Sequence, residues 1–412
     1  MTWNRKNLEG VETLAPSASV YLTPERLEVQ RVAREFAMTE VLPVADELDP
    51  QRGEIPDELL GRLAELGYFG VMIDREHGGL GLGVFEYTLI CEELARAWMS
   101  VASIIARGNG TGCAGRPDLL ARSARGEWIG GIAFSEPSAG SDLANVGCTA
   151  EKVRASGATG GDTDEYVIDG TKRWVGHALR ADFLHLLART REPREGHGRS
   201  DGLELFLVEK ERGTFPEGVT GTPIDKIGYY GLTTWELQID GLRLPAEALQ
   251  DTGQDEGQGF KESLRWLGPA RVQTAARAVG LARGAVEDAI AYCHRRVQFG
   301  HPIADHQVIR HAIADMSADV EAARQLYMHA AWLVDRDDAD RQTVDVATSQ
   351  AKLFASETAE RVTSRALQIF GGNGYTTEYS AERYWRDARL TTIFEGTSEI
   401  QRKIVSDVLV GH

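Results

Sequence analysis

The sequence predicts an α+β protein with an N-terminal helical domain (residues 1–130), a central β domain (131–250) and a C-terminal four-helix bundle (251–412). Apolar residues recur at helical spacing in the first and last parts of the chain, whereas short β-like runs replace them in between. A chain of 412 residues with 42% hydrophobic and 26% charged residues is long enough for two or three packed regions.

The N-terminal helices begin at Thr23, which can cap a helix and is followed by Pro24, a residue suited to the first helical position. Further helices are expected from Asp57 to Leu66 and from Phe85 to Ala106. The glycine-rich stretch from His77 to Gly83 lacks the spacing of a phosphate-binding loop and a preceding strand. We therefore interpret it as a turn.

The central region contains four clear strand candidates, bounded by turn residues: Tyr166–Gly170, Phe183–Leu187, Leu203–Val208 and Trp235–Ile239. The polar segment from Arg191 to Gly202 is expected to be a mobile surface loop. These features predict a small β domain.

Three long helices are predicted near the C-terminus: Val272–Val297, Gln307–Val334 and Val344–Phe370. Gly300 would end the first of them and Gly371 the third. Because helices of this length need large packing partners, we expect a four-helix bundle that also buries a face between subunits.

Charge and composition exclude several functional classes. The net charge of −17 disfavours binding to nucleic acid or anionic lipid, although a local basic pocket for a phosphate-bearing ligand remains possible. No segment reaches the roughly 18 continuous apolar residues of a membrane span, and the first residues do not form a signal peptide, which predicts a cytoplasmic protein. The four cysteines are far apart without a CxxC pair, so we expect neither a metal site nor a disulfide.

The segment from Ile393 to Arg402 places the carboxylate of Glu395 beside a glycine. We expect an apolar setting there, which would raise a carboxyl pKa toward neutrality and suit Glu395 as a general base. On its own, such a triplet is more often an ordinary loop or helix start. Read with the motifs Ala133–Asp142 and Gln368–Gly374, which stand in the same chain, the segment resembles the acyl-CoA dehydrogenase flavoenzymes. The resemblance extends over roughly residues 24 to 410.

This resemblance implies a homotetrameric FAD enzyme that removes two hydrogens across the α and β carbons of an acyl thioester, with an electron-transfer flavoprotein as electron acceptor. Glu395 would take the α-proton while the β-hydrogen leaves as hydride to flavin N5. Phe394 would bound the acyl pocket, and Gly396 would let the acyl chain pass close to the backbone. The thioester could be carried by CoA or by a carrier protein.

The resemblance also assigns the ligand contacts. Phe134, Ser135, Trp174 and Gly176 would lie at the flavin ring, with Ser141 near the flavin and the thioester arm. Across a subunit interface FAD would meet Arg296, Gln298, Phe299, Gln307, Gln368, Gly371 and Gly372, while Thr397 and Glu399 would approach its diphosphate and adenosine. Arg271 matches a substrate-side arginine that precedes the long helix, although a salt-bridged helix start also explains it.

Two neighbouring positions depart from the family pattern. Gly176 stands where many members carry a threonine or serine hydroxyl near flavin N5, and His177 replaces a usual asparagine. The missing hydroxyl could retune the flavin or widen the site, which leaves open an acyl-CoA oxidase or a flavin monooxygenase on the same fold. Glu395 argues against the monooxygenase, and the intact flavin-contact positions argue against a catalytically silent scaffold.

Overall fold

The computed structural model describes residues 19–111, 113, 116–156, 162–250 and 267–411. The N-terminal residues 1–18 and the segment 251–266, where the border of the C-terminal domain was predicted, lie outside the described residues.

Six α-helices are described in the N-terminal part, from residue 19 onward: α1 (Pro24–Phe36), α2 (Leu42–Leu48), α3 (Asp57–Glu65), α4 (Val84–Ala97), α5 (Met99–Ile104) and α6 (Pro117–Ala124). The predicted cap is confirmed, since the Thr23 side chain accepts a hydrogen bond from the backbone N–H of Arg26. The single helix predicted from Phe85 to Ala106 is wrong. Trp98 is buried in an extended conformation (φ −156°, ψ 112°), which ends α4 and starts α5.

The central part is a seven-stranded sheet made of β1 (Gly130–Ala133), β2 (Thr149–Ser156), β3 (Asp162–Gly176), β4 (Phe183–Arg189), β5 (Leu203–Glu209), β6 (Val219–Pro223) and β7 (Thr234–Pro245). The strand order is β1-β4-β2-β3-β7-β6, with β5 paired to β4. All four predicted strands lie within β3, β4, β5 and β7. The backbone N–H of Arg173 in β3 donates to the carbonyl oxygen of Ser135, so the chain that leaves β1 lies beside β3, and both segments contribute to the site described below.

The loop from Arg191 to Gly202 lies between β4 and β5, as predicted. Its Asp201 is buried and pairs with both Arg191 and Arg194, so these ion pairs anchor the loop to its own base.

Between residues 267 and 411, five α-helices are described: α7 (Leu267–Arg295), α8 (Gln307–Val334), α9 (Arg341–Phe370), α10 (Ala381–Thr391) and α11 (Ser398–Val410). Helices α7 to α9 pack on one another, α10 packs on α7 and α9, and α11 lies along α9. The first long helix was predicted to reach Val297, but it ends at Arg295 because Val297–Gln298 pairs with His301–Pro302 as the strands β8 and β9.

Helices α4 and α7 are held close together, which fixes the position of α7, the helix that carries two residues of the site. A Cβ at Gly280 would collide with the backbone carbonyl oxygen of Glu92, so only glycine permits this approach. Next to this contact, buried Arg283 of α7 forms ion pairs with Glu92 and Glu93 of α4. A continuous apolar core joins these helices to α8 and α9, and the sheet has a core of its own.

Candidate active site

Glu395 lies in the turn between α10 and α11, where the backbone adopts the left-handed conformation at both Glu395 (φ 54°) and Gly396 (φ 88°). Two side chains hold the turn by its Gly396 carbonyl oxygen, which accepts hydrogen bonds from Lys352 Nζ (2.6 Å) and Gln401 Nε2 (3.0 Å). A Cβ at position 396 would lie 2.5 Å from that Gln401 nitrogen. The left-handed backbone favours glycine at position 396, and a side chain there would also displace the Gln401 amide.

The Glu395 carboxylate is fixed at both oxygens by the inner face of α7. Its Oε2 accepts a hydrogen bond from Thr274 Oγ1 (2.5 Å), and its Oε1 forms an ion pair with Arg277 Nη2 (2.7 Å). The apolar setting expected for Glu395 is therefore wrong: the carboxylate lies in a polar, charge-paired site. Such a contact orients the carboxylate in one direction before any substrate arrives.

Arg277 is the centre of this cluster and is 1% exposed. Its guanidinium also donates to Ser103 Oγ at the end of α5 and lies 4.7 Å from the centre of the Phe394 ring. Burial is the largest effect on Arg277 and opposes its charge, but the Glu395 carboxylate, together with Tyr229 and Cys91, raises the pKa of the guanidinium overall. The arginine thus remains charged inside the protein.

Lys352 is also buried, and burial lowers its pKa to about 8. Because its ammonium group donates to the Gly396 carbonyl, it supports the turn that carries Glu395.

Tyr229 closes the cluster, with its ring edge-on to Phe394 at 6.2 Å between ring centres. Its backbone also has a left-handed conformation (φ 59°), held by a hydrogen bond from its N–H to Asp387 Oδ1 (2.6 Å). Burial raises the pKa of the Tyr229 hydroxyl, so it remains protonated.

The residues predicted at the flavin ring come together where β1 ends beside β3. Buried Lys172 donates to the backbone oxygen of Phe134 (3.1 Å) and pairs with Glu136 (2.7 Å). The backbone N–H of Arg173 donates to the Ser135 carbonyl oxygen (2.8 Å). Beside them Trp174 has a left-handed backbone (φ 67°) and an indole that is 55% exposed. The flat Trp174 indole is thus exposed to solvent, while hydrogen bonds and an ion pair hold the two residues before it.

Gly176 ends β3, and its missing side chain does not leave an empty space. A Cβ there would lie 3.0 Å from Nη2 of Arg107, which follows α5. Of the two consequences considered for Gly176, a retuned flavin or a wider site, the structure contradicts the wider site, because the Arg107 guanidinium takes up the space. Burial, followed by the charge of Arg107, lowers the pKa of neighbouring His177 well below its usual value.

A groove of about 540 Å³, which we call the interface groove, collects five of the residues predicted to bind FAD across a subunit interface: Arg296, Gln298, Phe299, Gly371 and Gly372. Phe299 is 92% exposed. A Cβ at either glycine would meet no atom within 4 Å, so the groove offers open backbone beside a cation and an aromatic ring.

The remaining predicted residues are distributed differently. Thr397 and Glu399 line a second groove with Trp385 and Arg389. Thr397 caps α11, and the pKa of Glu399 is lowered by its own backbone N–H and by the Thr397 hydroxyl. Among the described residues, Ser141, Gln307 and Gln368 are exposed and contribute to neither groove.

Arg271 does not precede the long helix, as expected, but lies within α7, which begins at Leu267. It is largely buried and its Nη1 pairs with Asp345 Oδ1 at 3.1 Å. This pair agrees with the alternative interpretation as a salt-bridged helix start.

Sequence reasoning missed the residues that hold Glu395 and Gly176 in place: Ser103, Arg107, Thr274, Arg277 and Lys352. A signal existed for two of them, since Thr274 and Arg277 are three residues apart in a predicted apolar helix and so share one face.

The described residues contain no cluster of ligands for a metal ion. All four cysteines are buried and unpaired. No described helix combines the length and the apolarity needed to cross a bilayer.

The arrangement fits a flavin nucleotide. The exposed indole of Trp174 suits an aromatic ring, and the Arg296 guanidinium beside the open backbone of Gly371 and Gly372 suits a phosphate. Together with the oriented carboxylate, these features define a flavin-dependent oxidoreductase.

Three family models match the chain: the N-terminal (residues 23–119), middle (131–242) and C-terminal (257–410) domains of acyl-CoA dehydrogenase. The protein belongs to the acyl-CoA dehydrogenase family.

Known proteins resemble it along most of its length. The chain is 37% identical over 396 residues to (2S)-methylsuccinyl-CoA dehydrogenase of Cereibacter sphaeroides, covering 93% of this chain and 69% of that protein. Butyryl-CoA dehydrogenase from Megasphaera elsdenii has a similar structure (TM-score 0.84, 31% identity, 94% of this chain and 99% of that one). A structure described as the electron transferring flavoprotein of Acidaminococcus fermentans also matches (TM-score 0.85, 31% identity, 96% and 100% coverage).

These comparisons confirm the predicted fold class and the predicted activity, acyl-CoA dehydrogenation by a flavoenzyme. They give no support to the alternative of an oxidase or a monooxygenase.

Proposed function

We propose that this protein uses FAD to dehydrogenate an acyl-CoA thioester across its α and β carbons, with Glu395 as the base. The fixed position of the Glu395 carboxylate, between the Thr274 hydroxyl and the Arg277 guanidinium, is the observation that carries the proposal. A carboxylate oriented in this way can remove one particular proton from a bound substrate.

The α-proton of a thioester is too weakly acidic for a carboxylate in water, so the site must stabilise the negative charge that develops on the carbonyl oxygen. The backbone N–H of Glu395 makes no hydrogen bond with another described residue and is free to donate to that oxygen. Lys352 and Gln401 hold the turn that presents this donor. The bound flavin supplies the acceptor for the β-hydrogen, which leaves as hydride when the α-proton passes to Glu395.

The cofactor assignment to FAD, rather than to a shorter flavin, rests on the interface groove. Its Arg296 guanidinium suits a pyrophosphate, and its exposed Phe299 offers a flat face for a ring. We propose that this groove holds part of an FAD shared with a neighbouring subunit of a homotetramer.

We further propose an electron-transfer flavoprotein as the electron acceptor. The structural match to the protein described as the electron transferring flavoprotein of Acidaminococcus fermentans supports this acceptor. The relatives named for butyryl-CoA and methylsuccinyl-CoA favour a short acyl group.

The function can be tested by adding acyl-CoA thioesters to the purified yellow protein without oxygen. Bleaching of the flavin by a thioester supports the dehydrogenase. Bleaching only by a nicotinamide or a flavin reductant would instead indicate a monooxygenase, and a colourless protein that does not take up FAD would indicate a scaffold.

Replacing Arg296 by alanine is expected to weaken cofactor retention, because the variant loses the cation of the interface groove. We expect the fraction of FAD retained after gel filtration to fall, together with the fraction of tetramer. Arg243→Ala, at an exposed arginine on β7, serves as the control. A monomeric variant that holds stoichiometric FAD would contradict the shared site.

A further inference from the structure

Arg107 lies at the edge of the candidate site and has no counter-charge among the residues that the structure describes. Its side chain makes no hydrogen bond or ion pair with any group in the described ranges, although it is half-buried. Its guanidinium lies against Gly176, the residue predicted at the flavin, with 3.0 Å from Nη2 to the position of a Cβ. Since a partly buried charge without a partner is costly, its position calls for an anion from outside the chain.

The neighbours of Arg107 are those of the base. Ser103 stands four residues earlier in the chain, and its hydroxyl accepts a hydrogen bond from Arg277. The charges of Arg277 and Arg107 both act to lower the pKa of the Tyr229 hydroxyl, and that of Glu395 acts to raise it, so all three charges lie near this hydroxyl. Arg107 therefore belongs to the same cluster as Glu395, on the side that faces Gly176.

The three cations Arg107, Arg277 and Lys352 differ in the partners that hold them among the described residues. Arg277 is already paired with Glu395, and the Lys352 ammonium group is bound to a carbonyl oxygen. Arg107 remains the member able to bind a further anion through its forked donors.

We propose that Arg107 binds a carboxylate at the far end of the acyl group, so that the preferred substrates are thioesters of short dicarboxylic acids. This inference rests on the proposed function, because it assigns the substrate class of the same site. An arginine and a carboxylate pair through two parallel hydrogen bonds, which fixes the direction of the acyl chain as well as its charge. The glycine at position 176 makes room for the guanidinium.

The test compares thioesters that differ only by a terminal carboxylate in place of a methyl group: 2-methylsuccinyl-CoA with 2-methylbutanoyl-CoA, and glutaryl-CoA with pentanoyl-CoA. We expect kcat/KM for anaerobic flavin reduction to favour the anionic member of at least one pair by about tenfold or more, the typical effect of a charged hydrogen bond. In Arg107→Gln this ratio should fall by a similar factor, and Arg107→Lys should restore part of it.

Two further variants separate recognition from loss of structure. Gly176→Ser keeps the charge of Arg107 but displaces its guanidinium, and it should lower the same ratio. Arg243→Gln removes an equal charge from an exposed part of β7 and should leave the ratio at its wild-type value. Dissociation constants for the unsaturated product thioesters, taken from the shift of the flavin spectrum, should show the same preference without turnover.

The inference is overturned if the wild-type protein does not prefer an anionic member in either pair. It is also overturned if Arg107→Gln slows both members equally, which would assign Arg107 to the flavin. Reduction by neutral thioesters with no preference would leave the dehydrogenase function standing, whereas a flavin that no thioester reduces would refute the proposed function itself.

Discussion

Glu395→Gln is expected to eliminate nearly all reduction of the flavin by acyl-CoA while FAD remains bound. Glutamine has the shape of glutamate and can still accept the hydrogen bond from Thr274, but it is not a base at any relevant pH. Removal of a general base typically lowers a rate by about 10²–10⁴-fold. Stopped-flow measurement of flavin bleaching in the absence of oxygen gives this rate directly.

The matched control for this experiment is Glu247→Gln, the same chemical change at an exposed residue after β7. Both variants should show the absorption spectrum of bound flavin, so that any loss of rate reports on chemistry. If Glu395→Gln retained more than about a tenth of the wild-type rate, another group would have to be the base.

The helical and β regions of this chain could be predicted because each has a clear period of apolar residues. The ends of individual helices could not be predicted in the same way. The helix is interrupted at Trp98, whose backbone is extended and whose side chain is buried. The spacing of apolar residues in the sequence does not reveal a single residue of this kind. The first long helix ends before Val297 because that residue pairs with the short strand at His301–Pro302, a contact that depends on the folded loop.

Glu395 could be predicted as the base because it stands in a sequence motif with its neighbours. The residues that surround its carboxylate could not be predicted. Arg277 is 118 residues from Glu395 in the chain, and Ser103 is a further 174 residues from Arg277. Only the packing of α5 and α7 against the turn brings these residues together. A contiguous apolar sequence such as Ile393-Phe394 therefore suggested an apolar site where the fold supplies a charged one.

The same limit applies to Gly176. As a sequence position it indicated a missing hydroxyl and a larger site, because the residue that takes up the space lies in a different part of the chain. The structure links the two positions: Gly176 lacks a side chain, and Arg107 extends toward it. A departure from a family pattern at one position can thus be the counterpart of a charge placed at another.

The second large effect is expected for the ion pair that holds the base. Arg277→Met keeps an elongated side chain that can pack against Phe394, but it removes the charge that faces the Glu395 carboxylate. Breaking a buried pair by removing one partner typically costs about 3–5 kcal/mol of unfolding free energy. Since Glu395 is 28% exposed and water can reach it, we expect a smaller loss of about 2–3 kcal/mol.

The pair should also reveal itself in a double-mutant cycle. Glu395→Gln leaves the Arg277 cation without its counter-charge and should destabilise the protein, whereas the double variant has no unpaired charge left to bury. We therefore expect the double variant to be more stable than the sum of the single losses implies, by at least about 1 kcal/mol. Urea unfolding at a fixed concentration of FAD measures all four proteins, and Arg243→Met, at an exposed site, should change stability by no more than about 0.5 kcal/mol. Single losses that simply add would mean that Arg277 and Glu395 do not depend on each other, and that the guanidinium does not orient the base.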